Sequence, residues 1–231
     1  MIQLVMFPYA GSIINPYKEW LSLDDTEFEI IQIEYDGRGR RSFVERPENW
    51  RTLIDKTLKQ VLECVDFTKE YILFGHSMGA RVVADIYRKI DAMAINQPKL
   101  LIFSGSEAFR AKNYESILTA PVKKFNQFFF KLGGIPKEVI EEVELLELVT
   151  DYLREDLTLL NQFNFNRKKT KITCPVLIFN GTQEEKSELK EWTDLIGPNC
   201  QQMIFQGDHF FIRTNVQEIL SVIKNKLNES K

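Results

Sequence analysis

Gly75-His76-Ser77-Met78-Gly79 decides how this chain is read. The pentapeptide follows Tyr71-Ile72-Leu73-Phe74, an apolar run of strand length, and opens a helical pattern from about Met78 to Ile95 in which Val82, Val83, Ile86 and Ile90 recur at helical spacing. G-x-S-x-G in a strand-turn-helix context is a turn so sharp that the serine backbone is strained and a Cβ at either flanking glycine collides with its neighbours. Ser77 is thereby held out at the carboxyl edge of a sheet, at a helix N-terminus whose unpaired N–H groups favour developing negative charge. At average composition an accidental match is expected roughly 0.03 times in a chain of this length.

Working outward, five further runs have the same character: Gln3 to Phe7, Phe28 to Tyr35, Leu100 to Phe103, Val176 to Phe179 and Gln202 to Phe205. Most of them stop at Gly, Pro or Ser. Helical patterns lie between them, among them Trp50 to Val65 and a C-terminal stripe of Val216, Ile219, Leu220, Ile223 and Leu227. Strands that alternate with helices and are too apolar to have a wet face imply an α/β fold, a mostly parallel sheet covered on both sides. From residue 113 to 167 the alternation lapses. Helix-like sequence runs Pro121 to Leu132, Lys137 to Leu148 and Tyr152 to Phe163, with Pro136 at a helix start. We read 113–167 as a helical insertion set into a single domain spanning 1–231, with ordinary crossover helices as the alternative.

Composition bounds the chemistry. Of 231 residues, 44% are hydrophobic and 27% charged, an ordinary globular balance, and the net charge of -3 supplies no basic field for nucleic acid. The three cysteines, Cys64, Cys174 and Cys200, are far apart, which argues against a disulfide framework or a zinc site and for reduced thiols in the cytoplasm. Met1 to Phe7 lacks a basic n-region and meets Pro8 and Gly11 before an h-region forms, and no apolar run approaches bilayer-spanning length. A soluble cytoplasmic protein, bound to neither membrane nor metal, is expected.

A serine hydroxyl needs a base to take its proton, and the chain has two histidines. His76 sits on the elbow pointing elsewhere. His209, in Gly207-Asp208-His209-Phe210-Phe211, follows the last strand, the place of the base in the chain order Ser, acid, His. The acid is expected from Asn180-Gly181-Thr182-Gln183-Glu184-Glu185, with Glu184 preferred. Glu185, beside Lys186, and Glu107, after the earlier strand ending Ser104-Gly105-Ser106, remain alternatives. Asp208 reads better as a turn residue. The oxyanion N–H groups are expected from Met78, after the nucleophile, and from Ala10 in Phe7-Pro8-Tyr9-Ala10-Gly11, with Tyr9 its rival.

These segments together resemble the type II (external, editing) thioesterases of nonribosomal peptide and polyketide synthases, in the α/β-hydrolase superfamily. Phe7 to Gly11 is similar to the family's oxyanion loop, and Asp36-Gly37-Arg38-Gly39-Arg40-Arg41 to its Pro-Gly-Arg-Gly-x-Arg loop, with Asp36 in place of proline. Leu132-Gly133-Gly134-Ile135-Pro136 and Tyr152-Leu153-Arg154-Glu155-Asp156 resemble its helical lid, and Gly207 to Phe211 its histidine loop. Two departures stand out: Glu184 occupies the family's aspartate position, and the glycine pair after the oxyanion loop is reduced to Gly11-Ser12.

The resemblance implies that Ser77 attacks a thioester carbonyl, that His209 takes its proton, and that water then releases the acyl chain. It implies no resident cofactor, since phosphopantetheine arrives on an acyl or peptidyl carrier protein domain, and a monomer visiting that partner. Two other readings share the residues: a general carboxylesterase, and a non-catalytic carrier or acyl binder. Arg38, Arg40, Arg41, Lys123 and Lys124 are candidates to face an acidic carrier. Phe128, Phe129, Phe130 and Leu132 are read first as packing, under a lid expected to open and close over Ser77.

Overall fold

The computed structural model describes residues 1–13, 16–21, 27–109, 113–133, 135, 137–165 and 172–229. Among these residues six strands form one sheet: β1 (Ile2–Phe7), β2 (Phe28–Gln32), β3 (Tyr71–His76), β4 (Leu100–Ser104), β5 (Val176–Gly181) and β6 (Cys200–Phe205). Their order is β2-β1-β3-β4-β5-β6, and all five pairings are parallel. Each of the six expected runs is a strand, although β2 stops at Gln32 where the sequence suggested Tyr35.

The helices are α1 (Lys18–Leu21), α2 (Trp50–Cys64), α3 (Met78–Asp91), α4 (Glu115–Leu118), α5 (Val122–Lys131), α6 (Lys137–Glu141), α7 (Val143–Leu160), α8 (Leu189–Ile196) and α9 (Val216–Glu229). Alternation along the strands sorts the core into two layers. Val5, Phe7, Leu73, Leu101, Phe103 and Ile178 pack with residues of α2, α3, α7 and α8. Leu4, Met6, Ile72, Phe74, Ile102 and Phe179 pack with Tyr17, Trp20 and α9. Burial on both faces leaves β1, β3, β4 and β5 no polar side to show, which is why they read as continuous apolar runs.

Helices α4 to α7 lie between β4 and β5, where the sequence reading set its insertion. Three helix boundaries differ from the sequence reading by several residues, one of them the end of α7, at Leu160 where the sequence suggested Phe163. The helix after the elbow ends at Asp91 and not Ile95, and α7 runs unbroken through the expected gap between Leu148 and Tyr152, the break falling instead at Glu142. Nothing between Leu148 and Tyr152 breaks a helix: buried Thr150 turns its hydroxyl back onto the Leu146 carbonyl, 2.7 Å away. Pro136, expected at a helix start, and residues 166 and 167 of the insertion lie outside the described residues.

The family-like loop after β2 also departs from expectation. Arg38, predicted to face a partner, is 4% exposed and meets fully buried Asp156 of α7 through two hydrogen bonds of 2.8 Å. Its guanidinium lies 4.9 Å from the centre of the Tyr152 ring, whose hydroxyl donates to the Gly37 carbonyl. A planar cation with fixed donors suits a buried bidentate pair better than a solvent-facing patch. Asp156 also accepts from the Gly11 N–H at 2.8 Å, so the insertion is tied to the loop after β1. Removing one partner strands the other charge in the interior. Asp156→Ala is therefore expected to lower unfolding free energy by about 3–5 kcal/mol, read from the urea midpoint at unchanged slope.

Candidate active site

Local sterics shape the elbow. Ser77 has φ 55° and ψ −113°, the one non-glycine residue with positive φ among the described residues. Such a backbone costs about 1–3 kcal/mol and persists only where its surroundings impose it. A Cβ on Gly75 would stand 2.1 Å from the Gly79 carbonyl oxygen, and one on Gly79 would stand 2.3 Å from that of Phe7. The helix start is thus pressed onto β3 and β1 with no room for side chains. The Ser77 N–H donates to the Ser104 carbonyl of the neighbouring strand at 2.8 Å.

Two loops at the far end of the sheet bring the remaining groups in. Past β5, the Thr182 N–H donates to the Phe205 carbonyl at 2.9 Å and the Gln183 N–H to that of Gly207 at 3.0 Å. Gly181 lies so close to the other loop that a Cβ would come within 2.4 Å of the Asp208 carbonyl oxygen. This lacing sets Glu184 beside His209, with Oε1 2.5 Å from His209 Nδ1, while Oε2 accepts from the Gly181 N–H at 2.6 Å. Asp208 is the turn residue expected, its Oδ1 accepting from the Phe210 N–H at 2.7 Å.

Ser77, His209, Glu184, Ala10 and Tyr9 all line one cavity of about 500 Å³, and Glu107 and Glu185 lie on its wall as well. Of these three carboxylates, Glu184 is the one hydrogen-bonded to the His209 ring. Met78, first residue of α3, is fully buried behind the elbow. The loop carrying Ala10 is braced at several points: Tyr17 donates to the Phe7 carbonyl at 2.5 Å, Tyr35 to that of Pro8 at 2.9 Å, and Asp156 holds Gly11. Phe128, Phe129 and Leu132 of the insertion border the cavity, with Val149, Leu153 and Leu157 of α7.

His76 does point elsewhere, into the core beneath the site. It is fully buried, with Nδ1 3.0 Å from Ser104 Oγ, and its ring centre lies 4.9 Å from that of His209. Burial, then the neighbouring His209 and Arg213, push its pKa well below the ordinary histidine value, so it is a neutral ring at physiological pH. Sequence reasoning missed Asp156 and Arg81. The latter carried a signal, as a charged residue on the buried, otherwise small and apolar first turns of α3.

A parallel sheet with a strained serine between its central strand and the following helix defines an α/β hydrolase. The chain belongs to the thioesterase family: the Thioesterase domain model matches residues 2–227, which makes the protein a thioester hydrolase. It is 25% identical over 235 residues to the linear gramicidin dehydrogenase LgrE of Brevibacillus parabrevis, covering 98% of this chain and 88% of that one. It is 27% identical over 230 residues to a Vibrio anguillarum protein called "Probable anguibactin biosynthesis thioesterase AngT", covering 95% and 89%. The solved structure of ClbQ, from the colibactin NRPS/PKS pathway, superposes with a TM-score of 0.86 at 26% identity, covering 99% and 97%. Although LgrE is named a dehydrogenase, the single G-x-G of this chain, Gly37-Arg38-Gly39, runs on to Ser42 where a dinucleotide fingerprint needs a third glycine.

Among the described residues, no helix is long and apolar enough to cross a membrane.

Proposed function

We propose that the protein hydrolyses acyl and aminoacyl thioesters from the phosphopantetheine arm of carrier protein domains, in nonribosomal peptide or polyketide assembly, with Ser77, His209 and Glu184 as its triad. The observation that carries this reading is the 2.5 Å contact between Glu184 and His209 Nδ1 on the wall of the cavity that Ser77 also lines. The pathway names of AngT and ClbQ support the choice of substrate.

In this reading Glu184 fixes the imidazole tautomer and stabilises the imidazolium, leaving Nε2 to take the Ser77 proton. The oxyanion is met by the N–H groups of Met78 and Ala10. A thiol of pKa about 8.5 leaves with little need of protonation, and His209 then activates water against the acyl-serine. No cofactor of the enzyme's own enters these steps. The insertion serves as the lid, α5 and α7 supplying the apolar wall. The carrier would approach over exposed cations. Arg40 is 82% exposed and paired with Glu34, and Lys123 and Lys124 are exposed on α5, whereas Arg41 is drawn towards Asp36 at 2.6 Å.

The test compares an acyl-phosphopantetheine carrier protein, the same acyl group on free pantetheine, and its oxygen ester. We expect kcat/KM to fall in that order and all turnover to require Ser77. Equal rates on the oxygen ester and the carrier substrate would overturn the assignment in favour of a general esterase. Charge reversal at Arg40, Lys123 and Lys124 together is expected to raise KM for the carrier substrate alone, measured against free pantetheine thioester.

A further inference from the structure

One wall of the cavity does not suit a plain hydrocarbon chain. Arg81 lies four residues beyond Ser77 on α3, one helical turn from it. It is 6% exposed and lines the same cavity as Ser77. Its Nη1 donates to Ser106 Oγ at 3.0 Å, and Ser106 also lines the cavity. The guanidinium lies 5.8 Å and 5.7 Å from the ring centres of Phe109 and Phe163. Among the described residues it forms no ion pair, in contrast to Arg38, the other deeply buried arginine, which has a carboxylate on both of its forks. Burial lowers its pKa from the ordinary guanidinium value, with Tyr114 and then Glu107 acting in the opposite direction. An arginine nonetheless keeps its charge in a protein.

A guanidinium has five donors in a fixed fork, and removing it from water is unfavourable unless hydrogen-bonded, charged partners replace the water. Arg81 therefore sits as a cation with spare donors, one turn from the serine, in a cavity it shares with the apolar side chains of Phe128, Phe129, Leu132, Leu153 and Leu157 and with polar ones that include Glu107, Tyr114 and Lys131. An alkyl acyl chain would satisfy the apolar residues and add no partner to the guanidinium, on which Glu107 acts as a neighbouring charge. A short chain ending in a carboxylate would satisfy both, because carboxylate and guanidinium match as a bidentate pair.

We propose that Arg81 is a specificity-determining residue that selects acyl groups carrying a distal carboxylate, so that the preferred substrates are monothioesters of short dicarboxylic acids. This rests on the reading of the cavity as the acyl site next to Ser77. The acyl carbon is attacked at the elbow while the distal carboxylate lies against Arg81, and the free dicarboxylic acid is the product.

The experiment measures kcat/KM for glutaryl-pantetheine, its neutral terminal amide and pentanoyl-pantetheine, with the wild-type enzyme, Arg81→Gln and Arg81→Lys. The wild-type enzyme is expected to favour glutaryl over both neutral chains by at least about tenfold, a floor well below the roughly 10⁴-fold by which a site built for a polar group can reject its lack. Arg81→Gln is expected to lower that ratio by at least about tenfold, and Arg81→Lys, which keeps the charge without the fork, to fall between. A wild-type ratio of one or below would overturn the proposal, and this holds even if Arg81→Gln does not fold. So would a ratio that Arg81→Gln leaves in place. Absence of Ser77-dependent turnover of any of the three thioesters would count against the hydrolytic reading itself. Turnover of pentanoyl-pantetheine without preference for glutaryl would count against Arg81 alone.

Discussion

Ser77→Ala is expected to lower kcat by about 10⁶, to the level that binding and the oxyanion donors sustain without a nucleophile. His209→Ala should cost about as much, because a hydroxyl without its base is hardly a nucleophile at neutral pH. The double variant should then be no slower than either single one, since the two act as a unit. The measurement is single-turnover release of thiol from an acyl thioester, with thermal unfolding followed in parallel. Alanine keeps the Cβ at φ 55°, so the backbone strain stays and Tm should move little. Retention of appreciable thiol release by Ser77→Ala would rule out an acyl-serine. A large loss in Ser77→Ala with full activity in His209→Ala would point to another base, and His76, buried with its pKa far below the ordinary range, is badly placed to be one.

The second large effect concerns the carboxylate. Glu184→Gln is expected to lower kcat by about 10⁴, with KM little changed, because an amide can hold His209 in the wrong tautomer and cannot stabilise its cation. The same change at Glu107 or Glu185 should cost far less, although both residues line the cavity. Glu184 has a second tie, its Oε2 on the Gly181 N–H, so the substitution also disturbs the loop after β5. Glu184→Asp separates these roles: it keeps the charge, shortens the side chain by one methylene, and should recover part of the lost rate. A loss confined to Glu107→Gln would assign the acid to the end of β4 instead.

Much of this architecture was legible in the residues themselves. The six strands announce themselves because burial on both faces demands unbroken apolar runs, and the elbow because the glycines at 75 and 79 touch backbone that lies within a few residues of them or on the adjacent strand. What proved illegible lay where two outcomes share one sequence signal. Arg38 reads as a surface charge until Asp156, 118 positions away, is folded against it. Likewise the stretch from Leu148 to Tyr152 reads as a helix end until one sees Thr150 bonded within its own turn and buried against Asn126.

By itself, then, the sequence determined the strand-turn-helix at Ser77, the order of strands along the chain and the short list of groups able to serve the serine. These follow from local sterics and from hydrophobic periodicity, which a linear pattern carries in full. Only the tertiary structure decided that Glu184, and not Glu107 or Glu185, stands on His209, that Arg38 faces inward, and that Arg81 borders the cavity. Those outcomes depend on side chains from separate strands and loops meeting at one edge of the sheet, where a shift of a single methylene or one loop hydrogen bond changes the partner.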